Sequence, residues 1–252
     1  MHRVARPSAV GAAANFVKGA FGSLKPMAPQ PRQQMLYDFS QPRDRAEWSV
    51  TSDAAFGGFS RANLDATTDS SAIRFDGVLS QAKPQGSKLV RSGFAAIRSK
   101  RYPRTPLAPY TMNLEAFDTV ELILRGDGRT YISNLSTDSV QEHDVYQSFV
   151  YTRGGPEWER ILLPFARYLL TYHGYVQEDQ PVFNKRAIRT FGFSLADGVE
   201  GPFALEIKSI RVLNTDNDDV APDNYPDSTP TDNSAAPPAK TRPTPDDHPR
   251  SA

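Results

Sequence analysis

Ser60 sits in Gly58-Phe59-Ser60-Arg61-Ala62, a glycine-X-serine-X-small pattern of the kind that holds a hydrolase nucleophile on a sharp strand-to-helix turn. The pattern returns as Gly192-Phe193-Ser194-Leu195-Ala196, and neither copy precedes a helical run. Without that strand-turn-helix context a serine is not presented for attack, so the motif alone assigns no hydrolase. Metal chemistry would have to rest on His143, between Glu142 and Asp144, and on His173, beside Tyr172 and Gly174, because His2 and His248 lie near the ends. A catalytic zinc site asks for three converging protein ligands with outer support, and these spacings supply none. With no cysteine in the chain, thiolate nucleophiles, disulfides and thiolate metal sites are excluded, while the redox compartment is left open. A structural calcium ion held by Asp and carbonyl oxygens has no spacing signature outside the EF-hand and stays open. No catalytic residue, metal ligand or cofactor is therefore assigned.

The densest polar motif is Arg125-Gly126-Asp127-Gly128-Arg129-Thr130-Tyr131. Two glycines around an aspartate favour a tight turn, since Gly takes positive φ without strain and Asp can bond its own backbone. Upstream, Val120, Leu122 and Leu124 alternate with Thr119, Glu121 and Ile123; downstream, Tyr131, Ser133 and Leu135 alternate with Ile132 and Asn134. The pattern predicts a hairpin whose turn fixes the register of two core strands, with Arg125 and Arg129 pairing to Asp127 or facing a partner. Arg125-Gly126-Asp127 also spells a tripeptide read by cell-surface receptors, which requires an extracellular location that the basic leader opposes. By charge and glycine content, the loop at 53–60 and the turn at 125–129 are expected at a partner-facing end, through Asp53, Ser60, Arg125, Asp127 and Arg129.

The elements that must position these residues are short period-two runs separated by Gly, Pro, Asn and Asp. Ile73, Phe75 and Leu79 surround Asp76-Gly77; Phe94 and Ile97 follow Gly93; Val145, Phe149 and Tyr151 share one face of a run whose other face holds Tyr146 and Val150. Phe191, Phe193 and Leu195 form another run, and Phe203, Leu205 and Ile207 a last one that slips phase to Ile210 and Val212, as a β-bulge requires. Seven or more such strands predict an all-β antiparallel sandwich, with one helical turn within 165–170 in a loop reaching about residue 185. Trp48, Phe56, Phe75, Phe94, Phe117, Phe149, Trp158, Phe191, Phe193 and Phe203 form the expected buried set, each worth about 2–3 kcal/mol on burial. The competing reading of the aromatics is a carbohydrate-binding module, with Tyr131, Tyr146, Tyr151 and Trp158 as sugar platforms beside Asp127 and Arg129.

The 252 residues carry no formal net charge, yet the charge is uneven. Residues 1–35 hold Arg3, Arg6, Lys18, Lys25 and Arg32 and no acid, with Val10, Ala14, Phe16, Val17, Ala20, Phe21 and Leu24 at helical spacing. That composition predicts a mitochondrial transit peptide, followed by a linker set by Pro26, Pro29 and Pro31. From 214 to 252, eight aspartates and eight prolines face only Lys240, Arg242 and Arg250, which predicts a disordered acidic tail. The domain expected at 36–213 is neutral and so poor electrostatic material for nucleic acid. No apolar run approaches the roughly 20 residues that span a bilayer as a helix.

Taken in order, these motifs resemble the complex I intermediate-associated protein 30 family of assembly factors for mitochondrial NADH:ubiquinone oxidoreductase. The matching residues are 36–39 as the opening strand, Ser52-Asp53 before Gly57-Gly58-Phe59-Ser60, Phe75-Asp76-Gly77, and Gly93-Phe94-Ala95 through Arg98. They continue with the Arg125 to Arg129 motif and Tyr131, Tyr146-Gln147, Trp158, Leu163-Pro164-Phe165 and Gly201-Pro202-Phe203. The resemblance implies a galactose-binding-domain-like jelly roll acting as a non-enzymatic, chaperone-like scaffold in the mitochondrial matrix, peripheral to the inner membrane. It further implies as partners an acyl-CoA-dehydrogenase-like flavoprotein, an adaptor protein and a membrane-arm intermediate of complex I. Two alternatives stand beside it, the carbohydrate-binding module and a subunit retained in mature complex I. The acidic Pro-rich tail departs from the family's domain pattern.

Overall fold

The computed structural model describes residues 32–85, 92–100, 111–138 and 144–215. The expected leader and most of the acidic tail lie outside these residues, while the first strand begins at Gln33, three residues before the expected domain start. In chain order the elements are β1 (Gln33–Asp38), α1 (Pro42–Ala46), β2 (Trp48–Ser52), β3 (Arg61–Ala66), β4 (Ile73–Leu79), β5 (Ala95–Ser99) and β6 (Thr119–Arg125). Then follow β7 (Thr130–Thr137), β8 (Asp144–Tyr151), β9 (Glu159–Pro164), β10 (Leu169–Tyr172), β11 (Tyr175–Val176), β12 (Ile188–Leu195) and β13 (Gly201–Leu213).

The strands form two sheets packed as an antiparallel sandwich. One sheet has the order β3-β4-β13-β6-β9, with β1 also on β13; the other runs β11-β10-β8-β7-β12-β5-β2. Strand β13 organises the first: β4 pairs along its start, from Gly201 opposite Leu79, and β1 along its end, to Leu213 opposite Gln33. Its register against β6 shifts between Ile207 and Ser209, where the sequence phase slips, so Ile207 and Ile210 both reach the core.

The apolar inner faces follow from strand alternation. Phe75, Leu79, Leu122, Leu124, Leu135, Ile161, Phe191, Phe193, Leu205 and Val212 are all buried. Tyr37 and Phe39 meet Trp48 edge-on, with ring centroids 5.2 and 5.4 Å apart, and so join β1 of one sheet to β2 of the other. Of the aromatics expected in the core, Trp48, Phe75, Phe117, Phe191, Phe193 and Phe203 are buried, and Phe94 and Trp158 are half-buried. Phe56 and Phe149 are exposed. Phe149 is outside because β8 turns its even positions, Tyr146 and Val150, to the core; Phe56 is outside because it ends a 3-10 turn (Asp53–Phe56) rather than lying in a strand. The expected helical turn exists as a 3-10 turn (Phe165–Arg167), but the segment after it is strand β10, paired with β8.

One expectation fails outright. Strands β6 and β7 do not form a hairpin: β6 lies between β13 and β9 in one sheet, and β7 between β12 and β8 in the other. Alternation with a glycine-rich turn is equally the pattern of a chain that leaves one sheet and enters its partner, because side chains alternate identically in both cases.

Candidate functional site

Among the connections that pass from sheet to sheet, four carry the polar motifs and their partners: 53–60 between β2 and β3, 80–94 between β4 and β5, 126–129 between β6 and β7, and 196–200 between β12 and β13. The polar residues singled out in the sequence fasten these crossings to one another at one end of the sandwich.

Asp53 and Ser60 fasten the first two. Asp53 is fully buried, and its carboxylate accepts from Ser60 N at 2.8 Å, Ser60 Oγ at 3.0 Å and Gly93 N at 2.6 Å. Ser60 Oγ also accepts from Ser80 N at 3.0 Å, while Ser52 Oγ donates to Ser60 O at 2.9 Å. Gly58 crosses directly over the carboxylate, so that a Cβ there would stand 2.5 Å from Asp53 Oδ1. A buried carboxylate with three donors is satisfied, and a buried serine committed to an acceptor and a donor is no exposed nucleophile. Neither side chain reaches the surface, which corrects the expectation that Asp53 and Ser60 face a partner. Phe56 and Phe59 do reach it, at 67% and 55% exposure on this clamped loop.

The 126–129 crossing is fastened by Thr152, Asp127 and Arg129. Thr152 Oγ1 accepts from Gly128 N at 3.0 Å and donates to Arg129 O at 2.9 Å, and Gly126 lies so close that a Cβ would stand 2.5 Å from Thr152 Cγ2. Asp127 accepts from Arg129 N at 3.1 Å, Ala204 N at 2.8 Å and the Tyr131 hydroxyl at 3.2 Å. Tyr131 is fully buried; burial first, then the Asp127 charge, holds its hydroxyl in the neutral form far above the usual tyrosine range. The Arg129 guanidinium donates through Nε and Nη2 to Asp197 at 2.9 and 2.6 Å, to Val199 O at 2.5 Å and to Pro202 O at 3.1 Å. Neither arginine side chain pairs with Asp127, so that expectation is corrected too. Arg129 is committed to the neighbouring crossing, and Arg125 to Glu206 and Pro156 O, with its guanidinium 4.9 Å from the centre of the Trp158 ring. Glu206 also takes Arg74 Nη1 at 3.0 Å, extending the ionic ladder across the outer face of the six-stranded sheet.

Glu200 closes the set by accepting from Gln81 N at 2.6 Å, which ties the 80–94 crossing to the 196–200 one. The partners Thr152, Asp197, Glu200 and Glu206 were invisible in the sequence. Asp197 stands 68 residues from Arg129, and Asp197-Gly198 reads only as a turn.

Of the expected sugar platforms, Tyr151 is half-buried with its ring 6.1 Å from that of Phe149, and the other three are withdrawn. Tyr131 and Tyr146 are buried, and Trp158 is covered by Arg125 and Lys208. Among the described residues no three His, Asp or Glu side chains gather as a metal set, and no helix is long and apolar enough to cross a membrane.

The fold and this self-satisfied end define a class: a jelly-roll sandwich whose polar motifs hold loops. The solved Family 11 carbohydrate-binding module from Clostridium thermocellum, in complex with a β-1,3-1,4-mixed-linked tetrasaccharide, has this architecture, with a TM-score of 0.51 over 73% of this chain and 96% of that one. At 11% identity the likeness is one of fold. The family model for Complex I intermediate-associated protein 30 matches residues 37–207, and the chain belongs to that family. "Complex I intermediate-associated protein 30, mitochondrial" of Drosophila melanogaster is 34% identical over 179 residues, covering 69% of this chain and 60% of that protein. Its namesake in Mus musculus is 33% identical over 184 residues, covering 71% and 56%. The Neurospora crassa protein of that name is 26% identical over 210 residues, covering 74% and 75%. The chain thus spans little more than half the length of the first two relatives.

Proposed function

We propose that this protein is a non-enzymatic assembly factor for mitochondrial respiratory complex I, acting by binding proteins from the matrix side of the inner membrane. The observation that carries the reading is that the family match, residues 37–207, falls on a domain whose conspicuous polar side chains are all spent on holding its own crossings. Chemistry needs at least one poised and unspent group, and these are satisfied; recognition needs only a stable, shaped surface.

The surface best suited to that task is the outer face of the seven-stranded sheet. Strand registers place Leu169, Gln147, Asn134, Gly192, Arg98 and Ser49 in one continuous row from β10 to β2. Phe149, Ile132, Ser194, Ala96 and Thr51 form the next. Exposed Phe149 and Leu169 make one side of this face apolar; exposed Arg98 and Lys100 make the other basic. An aromatic anchor beside a cationic rim is the composition of a protein interface core. The family's complex I intermediates, the acyl-CoA-dehydrogenase-like flavoprotein and the adaptor protein are the partners to test. Co-purification with them from cells carrying Phe149→Ser together with Arg98→Glu should fall at least about tenfold, with thermal stability unchanged. Unchanged co-purification would remove this face from the account.

A further inference from the structure

Held out from the clamped end of the sandwich are two phenylalanines that neither the core nor the partner face uses. Phe56 and Phe59 flank Gly57-Gly58, and among the described residues the Phe56 ring has one aromatic neighbour, Phe94, at 6.4 Å. The loop that carries them is rigid by construction: Asp53 grips both Ser60 and Gly93, and Gly58 is packed onto that carboxylate. On the adjoining crossing, which Glu200 ties to this end through Gln81 and Ser80, Val199 is 57% exposed. Val78, in the last turn of register of β4 opposite Arg61, is 49% exposed.

We infer that the loop at 53–60 is a membrane-contact tip, with Phe56 and Phe59 entering the headgroup and acyl boundary of a lipid surface. Area and charge select this occupant. Four partly exposed apolar side chains, three on crossings and Val78 on β4, fall well short of the roughly 800 Å² per partner that a stable protein interface buries. A bilayer interface sets no such requirement, because each inserted ring gains by leaving water independently of its neighbours. Among the described residues the charge beside the tip is mixed, with exposed Arg61 and Lys83 against Asp127 and Glu200, so attraction to anionic headgroups is not the driving term. Two rings bury no more apolar surface than one acyl chain, whose membrane association constant is on the order of 10⁴ M⁻¹; contact should be reversible and additive to protein binding. The inference goes beyond the protein-binding reading and uses a different surface, so either can fail alone.

The test is flotation of the full chain with phosphatidylcholine vesicles, and in parallel with vesicles containing phosphatidylglycerol. The neutral vesicles are decisive, because the acid-free cationic residues 1–35 would bind an anionic surface regardless of the loop. Wild type should float with neutral vesicles, and Phe56→Ser with Phe59→Ser should lower its partition at least about tenfold with unchanged thermal stability. Val182→Ser, at the 95% exposed Val182 outside the tip, should change nothing. Three results would overturn the inference: no flotation of folded wild type with neutral vesicles, equal flotation of the double variant, or a Phe56- and Phe59-dependent self-association seen by sedimentation without vesicles.

Discussion

Arg129 and Asp197, 68 residues apart, form a two-pronged ion pair that locks one sheet-to-sheet crossing to another, with both side chains largely withdrawn from solvent. The guanidinium also donates to Val199 O and Pro202 O, so one side chain serves two residues of the β12 to β13 connection and one at the start of β13. Arg129→Ala leaves a part-buried carboxylate and two carbonyls short of a donor, and should cost about 2–4 kcal/mol of unfolding free energy by urea denaturation. Arg129→Lys keeps the charge but loses the planar fork and should recover only part of that.

The same pair makes stability depend on acid. Burial opposes ionisation of Asp197, but the Arg129 guanidinium and the Val199 N–H outweigh it and hold the carboxyl below the usual aspartate value. A group whose folded-state pKa is depressed contributes fully above its unfolded value, about 3.9, and loses that contribution as pH falls through the folded one. Melting temperature should therefore drop as pH is lowered through and below about 4, and Arg129→Ala should flatten this part of the profile.

Gly126 is required for space. A Cβ would press on Thr152, whose hydroxyl holds the crossing through Gly128 N and Arg129 O, so Gly126→Ala must displace the strand end or the turn. A loss of about 1–3 kcal/mol in chemical denaturation is expected, as for other overpacked sites.

Asp53→Ala should loosen the 53–60 loop as well as weaken the fold. The amides of Ser60 and Gly93 lose a buried acceptor, with an expected loss of about 2–4 kcal/mol. Hydrogen exchange at those two amides should accelerate beyond the change seen in the core of β13.

How far the sequence revealed this molecule follows from what is local. Alternation placed β4 to β8, β12 and β13, though not β10 and β11 where a loop was expected, and the slip from Ile207 to Ile210 located the bulge, because face and phase are properties of neighbouring residues. Partnership is not local. The run from Val120 to Leu135 reads as a hairpin, yet its halves enter different sheets, since nothing in alternation says which strand lies alongside. The roles of Arg125 and Arg129 depended on Glu206 and Asp197, residues made neighbours only by that topology. Phe56 and Phe149 were misplaced because hydrophobicity alone does not say which face of a strand, or which side of a clamped loop, a ring takes.

The proposed role, assembly of complex I by binding its precursors, can be checked by native size fractionation of mitochondrial membranes, followed by detection of this protein and of complex I subunits. In that role the protein co-migrates with subassemblies smaller than intact complex I, and these are lost together with accumulation of mature enzyme when the protein is removed. Co-migration with intact complex I, or migration apart from every complex I subunit, would contradict it.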